Sequence, residues 1–177
     1  AERFEADHGG PRQALVRMQA SVVSTGTETT MIRGLRSVPQ AAREPLRLGY
    51  TGAGVVERVG AEYDGPPPGT PVACYGAPYV SHSAWCAVSP NLMAPSRVAP
   101  SEAAFGGLGA VAMHAVRLAG VTLGERVGVL GLGVLGQIVA QLTRAAGAWV
   151  VASEPLAARR TLALSHGADV ATAPDEF

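Results

Sequence analysis

The residues with the most informative spacing for chemistry are Gly131-Leu132-Gly133-Val134-Leu135-Gly136. Glycine at the first, third and sixth places leaves a bare backbone elbow. The first glycine permits a tight turn, the second lets a ligand approach the main chain, and the third allows a following helix to pack closely. A helix starting here turns its unpaired N–H groups and positive dipole end toward the elbow, which suits a diphosphate. Val134 and Leu135 then belong to the first turn that receives it. Glu154 follows about 20 residues later, where an acid grips ribose hydroxyls. Ser153 precedes it, and Arg159 and Arg160 lie just beyond. The chemistry implied is binding of a dinucleotide. The competing reading is a strand–helix unit whose glycines serve only close packing.

Such an elbow needs a strand before it and a helix and strand after it. Residues 127–130 are a short apolar run, and Leu135, Ile138, Val139 and Leu142 recur at helical spacing. Gly147 follows the last apolar turn, where a left-handed cap favours glycine. A second apolar run, 149–152, ends at Ser153-Glu154. Upstream, residues 14–23, 49–60, 71–75 and 83–88 read as strands divided by Gly/Pro turns such as 65–69. The hydroxyl-rich stretch 24–30 reads as a turn leading into a short helix. Residues 33–48 read as an irregular loop, with Pro39 and Pro45 as breakers. Ser101 caps a small, apolar helix running to Leu118, expected to be buried. The pattern predicts a β-rich domain over 1–100 and an α/β dinucleotide-binding domain over 101–177.

Composition narrows the partners. Hydrophobic residues make up 47% of the 177, enough for a core and too many for a disordered chain. Fourteen basic residues balance fourteen acidic ones and no basic patch stands out, which argues against nucleic acid. No apolar run is long enough to span a bilayer. Glu2, Glu5 and Asp7 are foreign to a signal peptide. Two cysteines outside any CxxC pattern point to a reducing compartment, so the expected location is cytoplasmic. Cys74 and Cys86 read as buried small hydrophobes, Trp85 and Trp149 as packing residues, and His114 as a core or interface histidine. His82 reads chiefly as a surface-turn residue, with the edge of a substrate cleft as the alternative, and His166 as a helix-end cation.

Several segments, in order, resemble the medium-chain dehydrogenase/reductase family of the alcohol dehydrogenase type. They are Leu15-Val16-Arg17, Thr25-Gly26-Thr27-Glu28, Gly49-Tyr50-Thr51-Gly52-Ala53-Gly54-Val55-Val56, Gly69-Thr70-Pro71-Val72-Ala73 and Gly124-Glu125-Arg126-Val127. The glycine elbow and Arg159 with Gly167-Ala168-Asp169 complete the set. The resemblance implies an α/β protein with a β-rich first domain: a GroES-like β-barrel followed by the first half of a Rossmann doubly wound parallel sheet. It also implies hydride transfer in the cleft between the two.

Departures from the family pattern are equally informative. Catalytic-zinc members read Cys-Gly-Thr-Asp where this chain has Thr25-Gly26-Thr27-Glu28, and Gly-His-Glu where it has Gly49-Tyr50-Thr51. The third ligand position falls near Gly106. None of these supplies the thiolate or imidazole that zinc prefers, so no metal is expected. The pattern is similar to a zinc-less branch of the family. By that resemblance Thr27 matches a proton-relaying hydroxyl and Tyr50 replaces a metal ligand. Tyr50 and Thr27, with Thr25 beside them, are expected to orient the substrate oxygen, and Glu28 to hold them or the cofactor from behind. The bland alternative is a core Tyr50 and a turn-capping Thr27.

Glu154 favours NAD by repelling a 2′-phosphate, while Ser153, Arg159 and Arg160 leave NADP possible. The expected function is hydride transfer between a nicotinamide cofactor and an alcohol or ketone without catalytic zinc. The alternatives are an NADPH-dependent quinone or enone reductase, and a non-catalytic remnant of the fold. Family members are about twice as long and their dinucleotide domain has six strands. The sequence therefore reads as a truncated form, with a homodimer or an associated second half as expected partners beside a small-molecule substrate.

Overall fold

The computed structural model describes residues 9–37 and 47–176. The chain divides into two compact units, one ending at Gly107 and the other beginning at Leu108. Among the described residues no helix is long and apolar enough to cross a membrane.

The first unit is a five-stranded antiparallel sheet in the order β4-β1-β2-β3-β5. Its strands are β1 (Ala14–Ser21), β2 (Thr51–Val59), β3 (Pro71–Tyr75), β4 (Trp85–Val88) and β5 (Met93–Pro95). Alternation decides which side chains turn inward. Ala14, Val16, Val56, Val72, Cys74, Cys86 and Val88 form one core with Val80. Strand β2 differs, because Thr51-Gly52-Ala53-Gly54 is buried on both faces. A Cβ on Gly54 would run into the Arg17 carbonyl of β1, so this pair of strands closes only with glycine there. Ala53 packs on Ala103 and Ala104, a second cluster of small residues.

Several expectations for the helices need correction. The stretch after Ser24 is a twelve-residue helix, α1 (Thr25–Arg36), so the loop expected from residue 33 starts later. Pro39 and Pro45 lie outside the described residues. The single helix expected from a Ser101 cap to Leu118 is two, α2 (Pro100–Ala103) and α3 (Gly106–Leu118), and Ser101 lies inside α2, whose cap position is Ala99. Gly106 and Gly107 open α3 against β-sheet side chains, and a Cβ on Gly107 would run into Tyr75 and Thr51. Nor is α3 the buried helix expected. Ala112 is buried, but Met113 is 51% and Leu118 74% exposed, and His114 is exposed rather than core.

The second unit is a parallel sheet, β6-β7-β8, of β6 (Arg126–Leu130), β7 (Trp149–Ser153) and β8 (Val170–Thr172). Helix α4 (Val134–Ala145) joins β6 to β7, and α5 (Ala157–His166) joins β7 to β8. Their core holds Val129, Leu132, Ala140, Val150, Ala152, Ala163 and Ala168. The buried face of α4 is Ala140 and Thr143, with Val139 partly buried against the core, whereas Leu135 stays 41% exposed. The helix lies close to the strands through its small residues, while Ile138, Val139 and Leu142 of the expected apolar stripe are partly buried beside them. It ends in a Schellman motif: Gly147 has φ +88°, and Gly147 and Ala148 donate to the carbonyls of Arg144 and Thr143.

Candidate functional site

The glycine elbow is built as its residue types dictate. Gly131 leaves β6 at φ +89°, a conformation that L side chains rarely adopt. Its N–H donates to the Ser153 carbonyl at 2.8 Å, tying the elbow to β7. Leu132, 1% exposed, plugs the core beneath and stabilises the turn by about 2 kcal/mol. Gly133 is the residue before α4, and a Cβ there would meet nothing within 4 Å. A Cβ on Gly136 would strike the Gly131 carbonyl oxygen. Val134 and Leu135 form the first turn, with side chains 55% and 41% exposed. No side chain caps this helix start, so its N–H groups remain available. The cradle therefore fits a diphosphate: open space faces Gly131 and Gly133, and only Gly136 is fixed by packing.

Glu154 sits at the end of β7 and is 4% exposed. Its carboxylate accepts the Leu132 N–H at 2.8 Å and the Leu156 N–H at 3.1 Å, and the Arg159 guanidinium lies 3.7 Å away. These backbone donors, Leu132 first, hold its carboxyl below the usual glutamate range, with Arg159 adding to the effect. Glu154 thus braces the elbow from behind, with both carboxylate oxygens engaged within the chain. Ser153 is buried beside it. Arg160 turns back to the Glu154 and Pro155 carbonyls, and so braces the same turn.

In the first unit, Thr25 and Thr27 lie exposed on the first turn of α1. Tyr50 is half-buried and meets the Tyr75 ring edge-on, centroids 5.9 Å apart. Among the described residues, no hydrogen bond joins Tyr50 to Thr27 or Glu28. Glu28 is buried at 4%, and its carboxylate accepts the Ser24 N–H at 2.8 Å, reaching back across the helix start. Its other partner is His82, a pairing that local sequence reasoning missed. His82 Nε2 lies 3.0 Å from Glu28 Oε2, and Nδ1 lies 2.8 Å from Ser21 Oγ. His82 does lie exposed on a bend, as expected of a surface turn, and its ring is also the partner of a buried acid. Nothing in the sequence around Ser81-His82-Ser83 announces a partner 54 positions away.

Residues 10–139 match the alcohol dehydrogenase GroES-like domain. The chain belongs to that family. Over 64 residues this alcohol dehydrogenase-like protein is 48% identical to D-guloside 3-dehydrogenase of Escherichia coli K12, covering 36% of this chain and 18% of that one. Over 199 residues it is 29% identical to human sorbitol dehydrogenase, covering 96% of this chain and 56% of that one. Its fold matches Escherichia coli quinone oxidoreductase complexed with NADPH, with a TM-score of 0.83 at 22% identity, covering 100% and 54%. The chain spans about half the length of these last two relatives. The medium-chain dehydrogenase/reductase architecture, a GroES-like domain followed by part of a Rossmann-like parallel sheet, is therefore established.

The resemblance would put zinc ligands at three positions of this chain. Thr25, Tyr50 and Gly106 offer two hydroxyls and no side chain, a poor donor set for zinc. Among the described residues, no group of three or more His, Cys, Asp or Glu is placed to hold a metal ion. Cys74 and Cys86 are free and buried in the sheet core. Burial, with the neighbouring Cys86, pushes the Cys74 thiol up to about 12, away from a metal-binding thiolate.

Proposed function

We propose that this protein belongs to an oxidoreductase that transfers a hydride between a nicotinamide dinucleotide and an alcohol or ketone without catalytic zinc. The observation that carries the proposal is the elbow: Gly131 at φ +89° and Gly133 open to solvent, ahead of an uncapped helix and braced by Glu154. A bound dinucleotide supplies the hydride acceptor or donor. The chain's own groups bind it, orient the substrate and handle the proton. Tyr50 takes the role of hydrogen-bond donor to the substrate oxygen, and Thr25 and Thr27 present hydroxyls from the start of α1. The names of the relatives, a guloside and a sorbitol dehydrogenase, support a secondary alcohol on a polyol as substrate.

Glu154 supports NAD over NADP, since a carboxylate repels a 2′-phosphate. Arg159, half-exposed at 3.7 Å from that carboxylate, is the observation that favours the second reading, an NADPH-linked quinone or enone reductase. The two buried free thiols support a cytoplasmic setting. The test is fluorescence titration with NADH and NADPH, followed by assays of polyol oxidation and enone reduction. Tighter NADH binding with alcohol oxidation supports the first reading. Tighter NADPH binding with C=C reduction replaces it with the second, and no dinucleotide binding refutes both.

A further inference from the structure

Ser21, His82 and Glu28 form an unbroken line of hydrogen bonds. Ser21 Oγ is 2.8 Å from His82 Nδ1, and His82 Nε2 is 3.0 and 3.2 Å from the two oxygens of Glu28. The inner end of the line is a carboxylate 4% exposed, and the outer end is an exposed hydroxyl. Two elements hold the ring, α1 through Glu28 and the end of β1 through Ser21. Behind it, the His82 backbone N–H donates to the Leu48 carbonyl at 2.8 Å. Gly49, at φ +97°, clears the space, because a Cβ there would sit 2.7 Å from His82 N and 3.0 Å from Nδ1. The line thus ties the start of α1, where Thr25 and Thr27 lie, to the segment that leads into Tyr50.

A hydroxyl, a histidine and an acid in series have a defined chemistry. The acid accepts the Nε2–H bond and fixes the tautomer. In that tautomer the opposite nitrogen carries no proton and accepts from the hydroxyl. Helix capping accounts for the bond from Ser24 to Glu28. It does not account for a histidine on the remaining face of the acid, or for an exposed serine beyond that histidine.

Resting on the zinc-free oxidoreductase reading, we propose that Ser21, His82 and Glu28 are the proton relay of that reaction. The substrate hydroxyl gives its proton to Ser21 Oγ as Ser21 passes its own to His82 Nδ1. The ring becomes imidazolium and keeps its Nε2–H on Glu28. A bound oxidised dinucleotide would supply the acceptor for the hydrogen that leaves the alcohol carbon with the C–H electron pair, so that loss of the proton through Ser21 balances formation of the ketone. His82 later returns its proton to solvent through Ser21. Ser21 meets the substrate, His82 is the proton store, and Glu28 is a positioning residue.

Two measurements on the whole chain test this. Long-range nitrogen–proton spectra of the histidines, without cofactor at neutral pH, are expected to show His82 protonated on Nε2 and bare on Nδ1. A ring protonated on Nδ1, alone or together with Nε2, overturns the relay whatever the activity. In the alcohol assay, His82→Ala is expected to lower kcat on the order of 100-fold, with partial rescue by free imidazole and an unchanged Kd for NADH. Wild-type turnover by His82→Ala also overturns the relay. Failure of the wild-type chain to bind NADH instead refutes the oxidoreductase reading, and the tautomer still decides the hydrogen-bond direction.

Discussion

Replacing Gly133 with aspartate separates folding from coenzyme binding. Gly133 has φ −67° and ψ −175°, an extended geometry open to any L residue, and a Cβ there meets nothing within 4 Å. The position precedes α4 and no side chain caps that helix. Aspartate is a preferred cap, a few tenths of a kcal/mol better than glycine. Its charge at the positive end of the dipole adds about 0.3–1 kcal/mol. The variant should therefore be as stable as the parent, or more so by about 1 kcal/mol. Binding should move the other way. The carboxylate occupies the N–H groups a diphosphate needs and adds a like charge. At about 4 Å and an effective dielectric of 20 that repulsion is about 4 kcal/mol. Halved for an open site it is about 2 kcal/mol, a loss of about thirtyfold in affinity. Thermal melts and NADH fluorescence titrations of Gly133→Asp, with Gly133→Ala as the uncharged control, measure both terms. A Gly133→Asp protein with the parent's melt and an NADH affinity within about threefold of it would refute the reasoning and leave the glycines as packing devices.

Gly136→Ala should destabilise the second unit by about 1–3 kcal/mol in urea unfolding, since its Cβ meets the Gly131 carbonyl oxygen rather than a movable side chain. A cost near zero would mean the elbow yields. Thr51 Oγ1 donates to the Ala104 carbonyl at 2.6 Å in a buried setting. Thr51→Ala should therefore cost about 2–3 kcal/mol and Thr51→Ser about 1, the gap reporting the orphaned carbonyl; equal costs would show the bond contributes little. Because Glu154 titrates below its usual range, its stabilising effect is present above that range and lost as the pH falls through the lower native value. The melting temperature of the wild-type second unit should fall more steeply on acidification than that of Glu154→Gln, and parallel slopes would contradict the bracing role.

The second unit was legible because one short stretch specifies it. Apolar runs, three spaced glycines and a left-handed cap at Gly147 each act locally, and each agrees with the others. The helix after Ser24 was harder. Thr25-Gly26-Thr27-Glu28-Thr29-Thr30 has weak helix formers and little apolar periodicity, so tertiary contacts of Glu28 override propensity. The break between α2 and α3 was hidden for a related reason. Alanine-rich sequence continues through it, and the Ala104 carbonyl at the break is taken by the Thr51 hydroxyl, a partner 53 positions away. Strand β5 is three residues long and gives no alternation to read. The His82–Glu28 pair joins residues far apart in sequence and has no local signature. Tyr50, Thr25 and Thr27 came from family pattern alone.

Gly49 and His82 share one volume but answer to different demands. The backbone angle at 49 excludes side chains whatever stands opposite, so emptying position 82 would not free position 49 to vary. In a saturation library screened for folding alone, 49 should stay invariant while 82 diversifies among small polar residues. The same library screened for turnover should narrow 82 back to a single imidazole.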